Sequence, residues 1–303
     1  AESRDTILGD CSQVSPTLLN GVPYFFEKVM RFLCDQGVGN TVGAATQLLG
    51  GNIRMCCSGG AALPDHVARF YQKQGLYLVQ GYGLTETSPV ITVSNNPSKI
   101  GSVGPALRNV QVRIADDGEI LTAGPHVMQG YWRRNDATGD CIQDGWFATG
   151  DLGRLDDDGY LYITGRKKEL IVTAAGKNVA PVLLESLLCE DPLIQQALVV
   201  GDGRNYLAAL IVADRAACAA CLSEQGQTPP DDWRNDPELQ KVLTQRIKTR
   251  LQDLSTYEQV GRFLILEEPF AVENGLLTPT LKLRRGEIHA RYQSEIESLY
   301  STE

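Results

Sequence analysis

A six-residue polar turn, Tyr82-Gly83-Leu84-Thr85-Glu86-Thr87, constrains this chain more than any other stretch because it directly follows a strand-like run. Three later signals follow strand-like runs in the same way: Thr149-Gly150-Asp151, Gly165-Arg166-Lys167-Lys168 and, near the end, Lys282. Loops at strand ends are where ligands bind in α/β folds. The four signals, in this order, predict one nucleotide site assembled from distant parts of the chain.

The residue types in these turns fit the parts of a nucleotide. Thr85 offers a hydroxyl and backbone N–H donors for a phosphate, and Glu86 offers a hard oxygen ligand for Mg²⁺. Asp151 is able to accept hydrogen bonds from ribose hydroxyls, and Arg166 is able to donate to the same sugar or to a phosphate. Lys282 supplies a mobile point charge of the kind used on a transferring phosphoryl group.

The order of the predicted elements indicates the fold class of the first part. An apolar stripe at helical spacing is followed by a strand, a second helix and a second strand, an order that is typical of α/β folds. We predict helices over residues 22–36 and from Pro64 to Gly75, and strands over residues 53–57 and 76–80.

The middle of the chain changes to hairpins. Asp-Gly turns between alternating apolar residues predict strands 110–115 with 119–122, and strands 153–155 with 160–164. Large apolar side chains in this region are expected to pack: Trp132, Trp146 and Phe147.

After Arg166 the pattern mixes short strands and helices again, which predicts a second domain with its own core. We expect a helix from Pro181, a hairpin around residues 201–203, a helix capped by Asp236 and one last helix over residues 288–299. The predicted domains are residues 1–165 and residues 166–303. The predicted class is α/β, with mixed sheets, helices and β-hairpins, followed by a small α+β domain.

Composition and charge restrict the class of protein further. Of the 303 residues, 43% are hydrophobic and 21% are charged, as in ordinary globular proteins, and the net charge of -9 disfavours a nucleic-acid partner. No apolar run approaches the roughly 18 residues of a transmembrane segment, and residues 1–5 show no signal-peptide pattern. Eight scattered cysteines, including Cys218 and Cys221, are expected to be reduced thiols of a cytoplasmic protein.

Five motifs together resemble the adenylate-forming superfamily, and within it the AMP-forming long-chain acyl-CoA synthetases. The resemblance extends from about Val14 to Tyr300. It implies that residues 1–165 are the C-terminal part of the family's large AMP-binding domain and that residues 166–303 are its lid domain. The motifs are Ser58-Gly59-Gly60-Ala61, Gln80-Gly81-Tyr82-Gly83-Leu84-Thr85-Glu86-Thr87, Asp144-Gly145-Trp146-Phe147-Ala148-Thr149-Gly150-Asp151, Gly165-Arg166-Lys167-Lys168-Glu169-Leu170-Ile171 and Leu277-Thr278-Pro279-Thr280-Leu281-Lys282.

The resemblance implies a role for each matching residue of the first domain. Tyr82 would lie against the adenine ring, with Gly83 in the same turn of the nucleotide site. Thr85 would contact the α-phosphate, and Glu86 would hold Mg²⁺. Asp151 would accept hydrogen bonds from both ribose hydroxyls. Three small residues would border the adenine pocket and the acyl channel: Gly59, Gly60 and Ala61.

The second domain would supply the moving parts. Arg166 would assist at the ribose, and Lys168 matches the hinge about which the family's lid turns. Lys282 matches the lysine that reaches the α-phosphate region. The loop around Gly176, residues 173–178, would enter the site after the swing and flank the pantetheine path.

The implied chemistry has two halves and uses ATP, Mg²⁺ and coenzyme A. A fatty carboxylate attacks the α-phosphate of ATP, which gives acyl-adenylate and pyrophosphate. The lid then turns, and the thiol of coenzyme A displaces AMP. The 277–282 motif and the longer segment over residues 216–254 resemble the long-chain group, so the implied substrate is a long-chain fatty acid.

One family motif is absent from the sequence, the Ser/Thr/Gly-rich phosphate loop that ends in Pro-Lys-Gly. We therefore expect the chain to be the C-terminal portion of a larger ligase that does not adenylate fatty acid at a useful rate alone. A sheet cut midway would leave an open edge, so we also expect self-association or a complementing N-terminal piece.

The sequence leaves alternatives open. A ligase for an aryl or shorter acyl group would keep the same fold and first step. A module that binds AMP or acyl-adenylate without turnover would keep the site residues but not the reaction. A lipid substrate leaves room for peripheral contact with a membrane, although no segment is a clear basic amphipathic anchor.

Overall fold

The structure is a computed structural model that describes residues 6–94, 96–230, 232–278 and 282–301. The chain divides into two compact units, Ala1–Ile163 and Thr164–Glu303. The first unit holds the following elements: α1 (Ile7–Val14), β1 (Leu18–Gly21), α2 (Pro23–Asp35), α3 (Ala44–Leu48), β2 (Met55–Ser58), α4 (Asp65–Lys73), β3 (Leu78–Tyr82), β4 (Thr92–Val93), β5 (Gln111–Ile114), β6 (Glu119–Ala123), α5 (Asn135–Cys141), β7 (Ile142–Gln143), β8 (Trp146–Leu155) and the start of β9 (Leu161–Arg166).

Sheet one of the first unit has the order β1-β2-β3-β4. The first three strands are parallel and β4 is antiparallel to β3. Helices α2 and α4 cover this sheet with an apolar face, and their contact is fixed by the Tyr71 hydroxyl, which donates to the Phe26 carbonyl at 3.0 Å. The predicted α/β arrangement is therefore confirmed.

The predicted strand positions in this sheet were displaced. Strands β2 and β3 each begin two residues later than the predicted starts at Ile53 and Leu76. Both of those side chains are buried, although they precede the ladder. A buried apolar residue before a strand and one inside it look the same in sequence, which explains the displacement.

Sheet two has the order β5-β6-β8-β7, with β9 paired to β8. Both predicted hairpins are present. Phe147 is buried as expected, but Trp132 is 85% exposed, so the prediction that it packs was wrong. Trp146 is half-buried under the guanidinium of Arg113, which lies 4.1 Å from its ring centroid.

The second unit contains the end of β9 and a sheet of order β12-β13-β14, in which β12 and β13 are antiparallel and β13 and β14 are parallel. Every residue of β13 is buried. Alternate side chains of this strand point into two core clusters, one with α6, α7 and α8 and one with α9 and α10. The elements are β10 (Ile171–Val172), β11 (Asn178–Val179), α6 (Pro181–Cys189), β12 (Ile194–Val200), β13 (Leu207–Ala213), α7 (Arg215–Glu224), α8 (Pro237–Leu251), β14 (Val260–Leu266), α9 (Arg285–Arg291) and α10 (Gln293–Tyr300).

Two of the predicted helices of this unit differ in how well their ends were predicted. Asp236 caps α8 by accepting from the Leu239 N–H at 2.7 Å, as predicted. The predicted single last helix is instead two helices, because Tyr292 has φ -108° and ψ 23°. Ile288, Tyr292 and Ile296 keep a spacing of four through the break, so their apolar period gives no sign of it in the sequence.

Two further features concern the whole of the described part. None of its helices combines the length and the apolar character that a membrane crossing requires. The eight cysteines all lie within the described ranges and form no disulfide. Cys218 and Cys221 both lie on α7, where Cys218 is buried.

Candidate nucleotide site

Strand β3 brings Tyr82 and Gly83 to the start of the 82–87 turn. The Tyr82 side chain is 9% exposed and packs in a small core cluster with Ile120 and Leu161, so stacking of its ring on adenine stays a prediction. A side chain at Gly83 would collide with the carbonyl oxygen of Pro89. Glycine is therefore needed where the chain leaves the sheet.

The rest of the turn is closed by one hydroxyl. Thr87 accepts a hydrogen bond from the Leu84 N–H and donates one to the Leu84 carbonyl, both at 2.9 Å. Thr87 is buried, whereas Thr85 is exposed and Glu86 is half-buried. The closure thus fixes the backbone while the two proposed ligand residues remain accessible.

Asp151 lies within a distortion of strand β8. The pairing of β6 with β8 shifts register between Glu119 and Leu121, and Gly150 has a φ of +74°. An irregularity of this kind locally redirects the side chains of a strand. The prediction that Thr149-Gly150-Asp151 ends a strand was wrong, because β8 continues through it to Leu155.

Polar groups at this distortion find partners inside the sheet. The Glu119 carboxylate accepts from the Gly150 N–H at 2.8 Å. The Thr149 hydroxyl donates to the Ile120 carbonyl at 2.8 Å and accepts from the Asp151 N–H at 3.1 Å. Sequence reasoning missed Glu119, because a carboxylate after an Asp-Gly turn resembles an ordinary solvent-facing hairpin residue.

Tyr82 and Asp151 meet directly, although 69 residues separate them in sequence. The Tyr82 hydroxyl donates to Asp151 Oδ2 at 2.9 Å. Two of the predicted site residues, one at the end of β3 and one in β8, therefore lie close enough to touch one small molecule. An arrangement with these groups on opposite faces would have ruled out a common nucleotide site.

Glu86 is held by a segment that sequence reasoning did not include. The Tyr131 hydroxyl donates to Glu86 Oε1 at 2.8 Å, and the Met128 N–H donates to the Glu86 carbonyl at 2.8 Å. Hydrogen bonding to Glu86 raises the pKa of Tyr131 to about 12. Thr138 accepts from the Tyr131 N–H at 2.9 Å and so steadies this segment in turn. The run Gly130-Tyr131-Trp132 was the available signal, because two adjacent aromatic residues in a polar loop indicate a contact with another segment.

The donor set around Glu86 fits Mg²⁺ better than a metal held by protein alone. The described residues contain no group of three His, Cys, Asp or Glu side chains suited to a metal ion. Mg²⁺ commonly takes one or two carboxylates and completes its shell with waters and substrate phosphates. A single half-buried carboxylate beside the exposed Thr85 hydroxyl suits that pattern.

The glycine turn after β2 lies beside the 82–87 turn. Strands β2 and β3 are parallel neighbours, with Ser58 opposite Gln80, so both turns leave the same edge of the sheet. Gly60 has a φ of +82°. The Ser58 hydroxyl is buried and has no hydrogen-bond partner in the described part of the chain. The predicted group Gly59, Gly60 and Ala61 thus adjoins the turn that bears Glu86.

The remaining predicted residues belong to the second unit. Arg166 ends β9, and the hinge candidate Lys168 lies in the short 3₁₀ turn that follows; both are exposed. Gly176 has a φ of +72° in the turn between β10 and β11. The side chain of Lys282 is exposed. Three other residues of its motif lie outside the described residues: Pro279, Thr280 and Leu281.

Two family models match the chain. The family model described as AMP-binding enzyme matches residues 1–132, and the model described as AMP-binding enzyme C-terminal domain matches residues 168–303. The chain is 44% identical over 259 residues to the long-chain-fatty-acid–CoA ligase FadD15 of Mycobacterium tuberculosis. That match covers 84% of this chain and 43% of FadD15, so the chain spans less than half the length of this relative.

Solved structures share the fold. The adenylation domain of a carboxylate reductase from Mycobacterium chelonae matches with a TM-score of 0.76 at 22% identity, over 100% of this chain and 49% of that one. The o-succinylbenzoate coenzyme A synthetase of Bacillus subtilis, solved with AMP, matches with a TM-score of 0.69 at 25% identity, over 94% and 53%. The chain belongs to the AMP-binding enzyme family, within the adenylate-forming superfamily.

Proposed function

We propose that this chain acts in the ATP-dependent activation of a long-chain fatty acid and in its transfer to coenzyme A. The observation that carries the proposal is the hydrogen bond between Tyr82 and Asp151, which joins two predicted nucleotide-binding residues in one place. The acyl group and the acceptor are suggested by the similarity to FadD15, which is named a long-chain-fatty-acid–CoA ligase.

The first half-reaction needs a bound nucleotide and stabilised phosphate charge. In this proposal Asp151 accepts hydrogen bonds from the ribose hydroxyls, and the exposed Thr85 hydroxyl contacts the α-phosphate. Glu86 would hold Mg²⁺, which when bound neutralises charge on the phosphate oxygens. Lys282 would donate to the α-phosphate as the fatty carboxylate attacks and pyrophosphate leaves, because charge develops there.

The second half-reaction exchanges AMP for a thiol. Lys168 is the proposed hinge about which the second unit turns once acyl-adenylate has formed, and Arg166 would assist at the ribose. The turn that contains Gly176 would then border the pantetheine arm of coenzyme A. The thiol sulfur attacks the acyl carbon, the bond from that carbon to the phosphate oxygen breaks, AMP leaves, and the thiol proton passes to solvent.

The acyl preference is tested with stable acyl-adenylate analogues, such as acyl-sulfamoyl adenosines with palmitoyl, octanoyl and benzoyl groups. Each buried methylene contributes about 0.8 kcal/mol, so a long-chain site should bind the palmitoyl analogue at least about tenfold more tightly than the benzoyl one. Isothermal titration calorimetry on this chain measures the three affinities. Equal affinities, or a preference for benzoyl, would contradict the fatty-acid proposal.

Turnover separates an enzyme from a binding module. Incubation with ATP, palmitate and coenzyme A, followed by mass spectrometry, measures palmitoyl-CoA formation. Product shows catalysis by this chain and contradicts the expectation that it is inactive alone, whereas tight analogue binding without product agrees with that expectation and with a module that binds acyl-adenylate. A cytoplasmic location is proposed because the eight cysteines form no disulfide, and fractionation of the source cells would test it.

A further inference from the structure

Glu185 on α6 is a carboxylate of the second unit that is almost completely buried, at 7% exposure. Its Oε1 accepts from the Val199 N–H at 2.8 Å and from Arg285 Nη1 at 2.7 Å. Its Oε2 accepts from Arg285 Nη2 at 2.5 Å. The Arg285 guanidinium therefore grips this carboxylate with two parallel hydrogen bonds, the geometry in which arginine is most specific.

The same guanidinium reaches a third segment. Arg285 Nε donates to Glu169 Oε2 at 3.2 Å. Glu169 directly follows Lys168 in the 3₁₀ turn Lys167–Glu169. One side chain thus ties the beginning of α9 both to the buried face of α6 and to the turn that contains the proposed hinge.

Arg285 also ends the segment that presents Lys282. Leu277 and Leu283 form an isolated antiparallel bridge. Within it the Thr278 N–H donates to the Lys282 carbonyl at 2.8 Å, and the Lys282 N–H donates to the Thr278 hydroxyl at 3.0 Å. We call the described residues 276–278 and 282–284 the lysine hairpin. Its last backbone hydrogen bond, from the Arg284 N–H to the Leu276 carbonyl at 2.9 Å, lies immediately before Arg285.

Stability alone is a weak reason for this arrangement. Moving two charges out of water costs about as much as their attraction returns, so apolar pairs of similar volume are often as stable as buried ion pairs. An apolar pair has no directional hydrogen bonds. It would therefore not fix the start of α9 against both α6 and the turn Lys167–Glu169. The Lys282 side chain is exposed, so the hairpin backbone determines where its ammonium group emerges.

We infer that Arg285 is a positioning residue for Lys282: the Arg285 side chain holds the lysine hairpin in fixed register with the turn that contains Lys168. The inference rests on the proposed function only for the role given to Lys282. The second unit would then move as one body in which the lysine and the hinge segment keep a constant relation. This role assigns Arg285 no contact with substrate.

Amide hydrogen exchange on the full chain, without any nucleotide, tests the inference. In Arg285→Ala the amides of Lys282 and Arg284 should exchange at least about tenfold faster. The stabilising free energy of a hydrogen bond to a charged group is typically large enough to change an opening equilibrium by about tenfold. Amides of β13 should keep their protection. Arg291→Gln is the matched control, since Arg291 lies on the same helix and pairs with the exposed Glu268; its hairpin exchange should stay unchanged.

A double variant distinguishes positioning from simple charge compensation. Glu185→Met with Arg285→Met removes both charges and leaves no buried ion, so global stability should recover relative to Arg285→Ala. If Arg285 positions the hairpin, the amides of Lys282 and Arg284 stay rapidly exchanging in the double variant. Restored hairpin protection, or unchanged protection in Arg285→Ala, would overturn the inference.

If Arg285→Ala does not fold, the double variant and Arg285→Lys still test the inference. Arg285→Lys keeps the charge but loses the two-pronged contact, so it should show intermediate hairpin exchange, and native exchange there would also overturn the inference. None of these measurements depends on fatty acid or ATP. Failure of the acyl-adenylate titration would therefore count against the proposed function and not against the positioning role.

Discussion

Tyr131 donates a hydrogen bond to Glu86 at 2.8 Å and thereby fixes the carboxylate that we propose as the Mg²⁺ ligand. The contact joins the loop after β6 to the turn after β3 within the first unit. A carboxylate held in one orientation loses less freedom when it binds an ion, so the phenol favours binding without touching the substrate.

Removal of the Tyr131 hydroxyl should therefore weaken the binding of Mg²⁺ with ATP more than the binding of AMP alone. For Tyr131→Phe we expect the Mg²⁺ concentration that gives half-maximal ATP binding to rise about threefold to tenfold, the effect of one lost hydrogen bond. Calorimetric titration with ATP at several Mg²⁺ concentrations measures it. Tyr24→Phe, at an exposed tyrosine on α2, is the control. An equal loss of affinity for AMP would show that Tyr131 acts on the nucleotide itself.

Gly150 should be sensitive to substitution for a conformational reason alone. Its φ is +74°, and a Cβ built there would meet no atom within 4 Å. Gly150→Ala should thus lower the free energy of unfolding by about 1–2 kcal/mol, the cost of the left-handed region. Gly139→Ala is matched, because Gly139 also has open space around it and lies in α5 with no positive φ; it should be neutral or stabilising by up to about 1 kcal/mol. Chemical denaturation measures both, and equal effects would contradict the argument.

The lysine at position 99 ties down the tip of the β8–β9 hairpin, and this contact should depend on pH. Lys99 Nζ lies 2.8 Å from Asp156 Oδ2 and 2.6 Å from Asp158 Oδ2. The hydrogen bond from Lys99 lowers the pKa of Asp156. A carboxylate with a lowered folded pKa contributes stability above its unfolded pKa, about 3.9 for Asp, and loses it as pH falls through the folded pKa.

Asp156→Asn should consequently lower the thermal midpoint at neutral pH and lose this difference in acid. The effect should also shrink at high salt, because both side chains remain partly exposed to solvent. Thermal melts from about pH 7 down to about pH 2 compare the variant with the parent chain. A difference in midpoint that stays constant across that range would contradict the assigned cause.

The parts of the fold that follow from local chemistry were predictable from the sequence. Asp-Gly turns fixed the hairpins, Asp236 marked the start of α8, and the strand pattern around the 82–87 turn indicated an α/β arrangement. These signals act between residues that are near in sequence. The order of the four turns predicted one nucleotide site, and the family resemblance added a role for each residue in it.

Features that depend on contacts between distant residues were not predictable in the same way. Nothing near Glu119 in sequence shows that its carboxylate accepts from Gly150, 31 residues away. The Tyr131 contact to Glu86 spans 45 residues, and the contact between Arg285 and Glu185 spans 100. The register shift in the pairing of β6 with β8 could not be recognised in the sequence either, because a distorted strand keeps an apolar pattern on either side of the distortion.

The central claim is that the first unit binds the nucleotide where Tyr82 meets Asp151. Calorimetric titration of the chain with AMP tests it, with Asp151→Ala as the variant and Asp140→Ala, at an exposed position on α5, as the control. The account predicts that the parent chain and the control bind AMP alike, while Asp151→Ala binds about tenfold more weakly or worse. Equal AMP affinity in all three proteins, or no AMP binding by the parent chain, would contradict it.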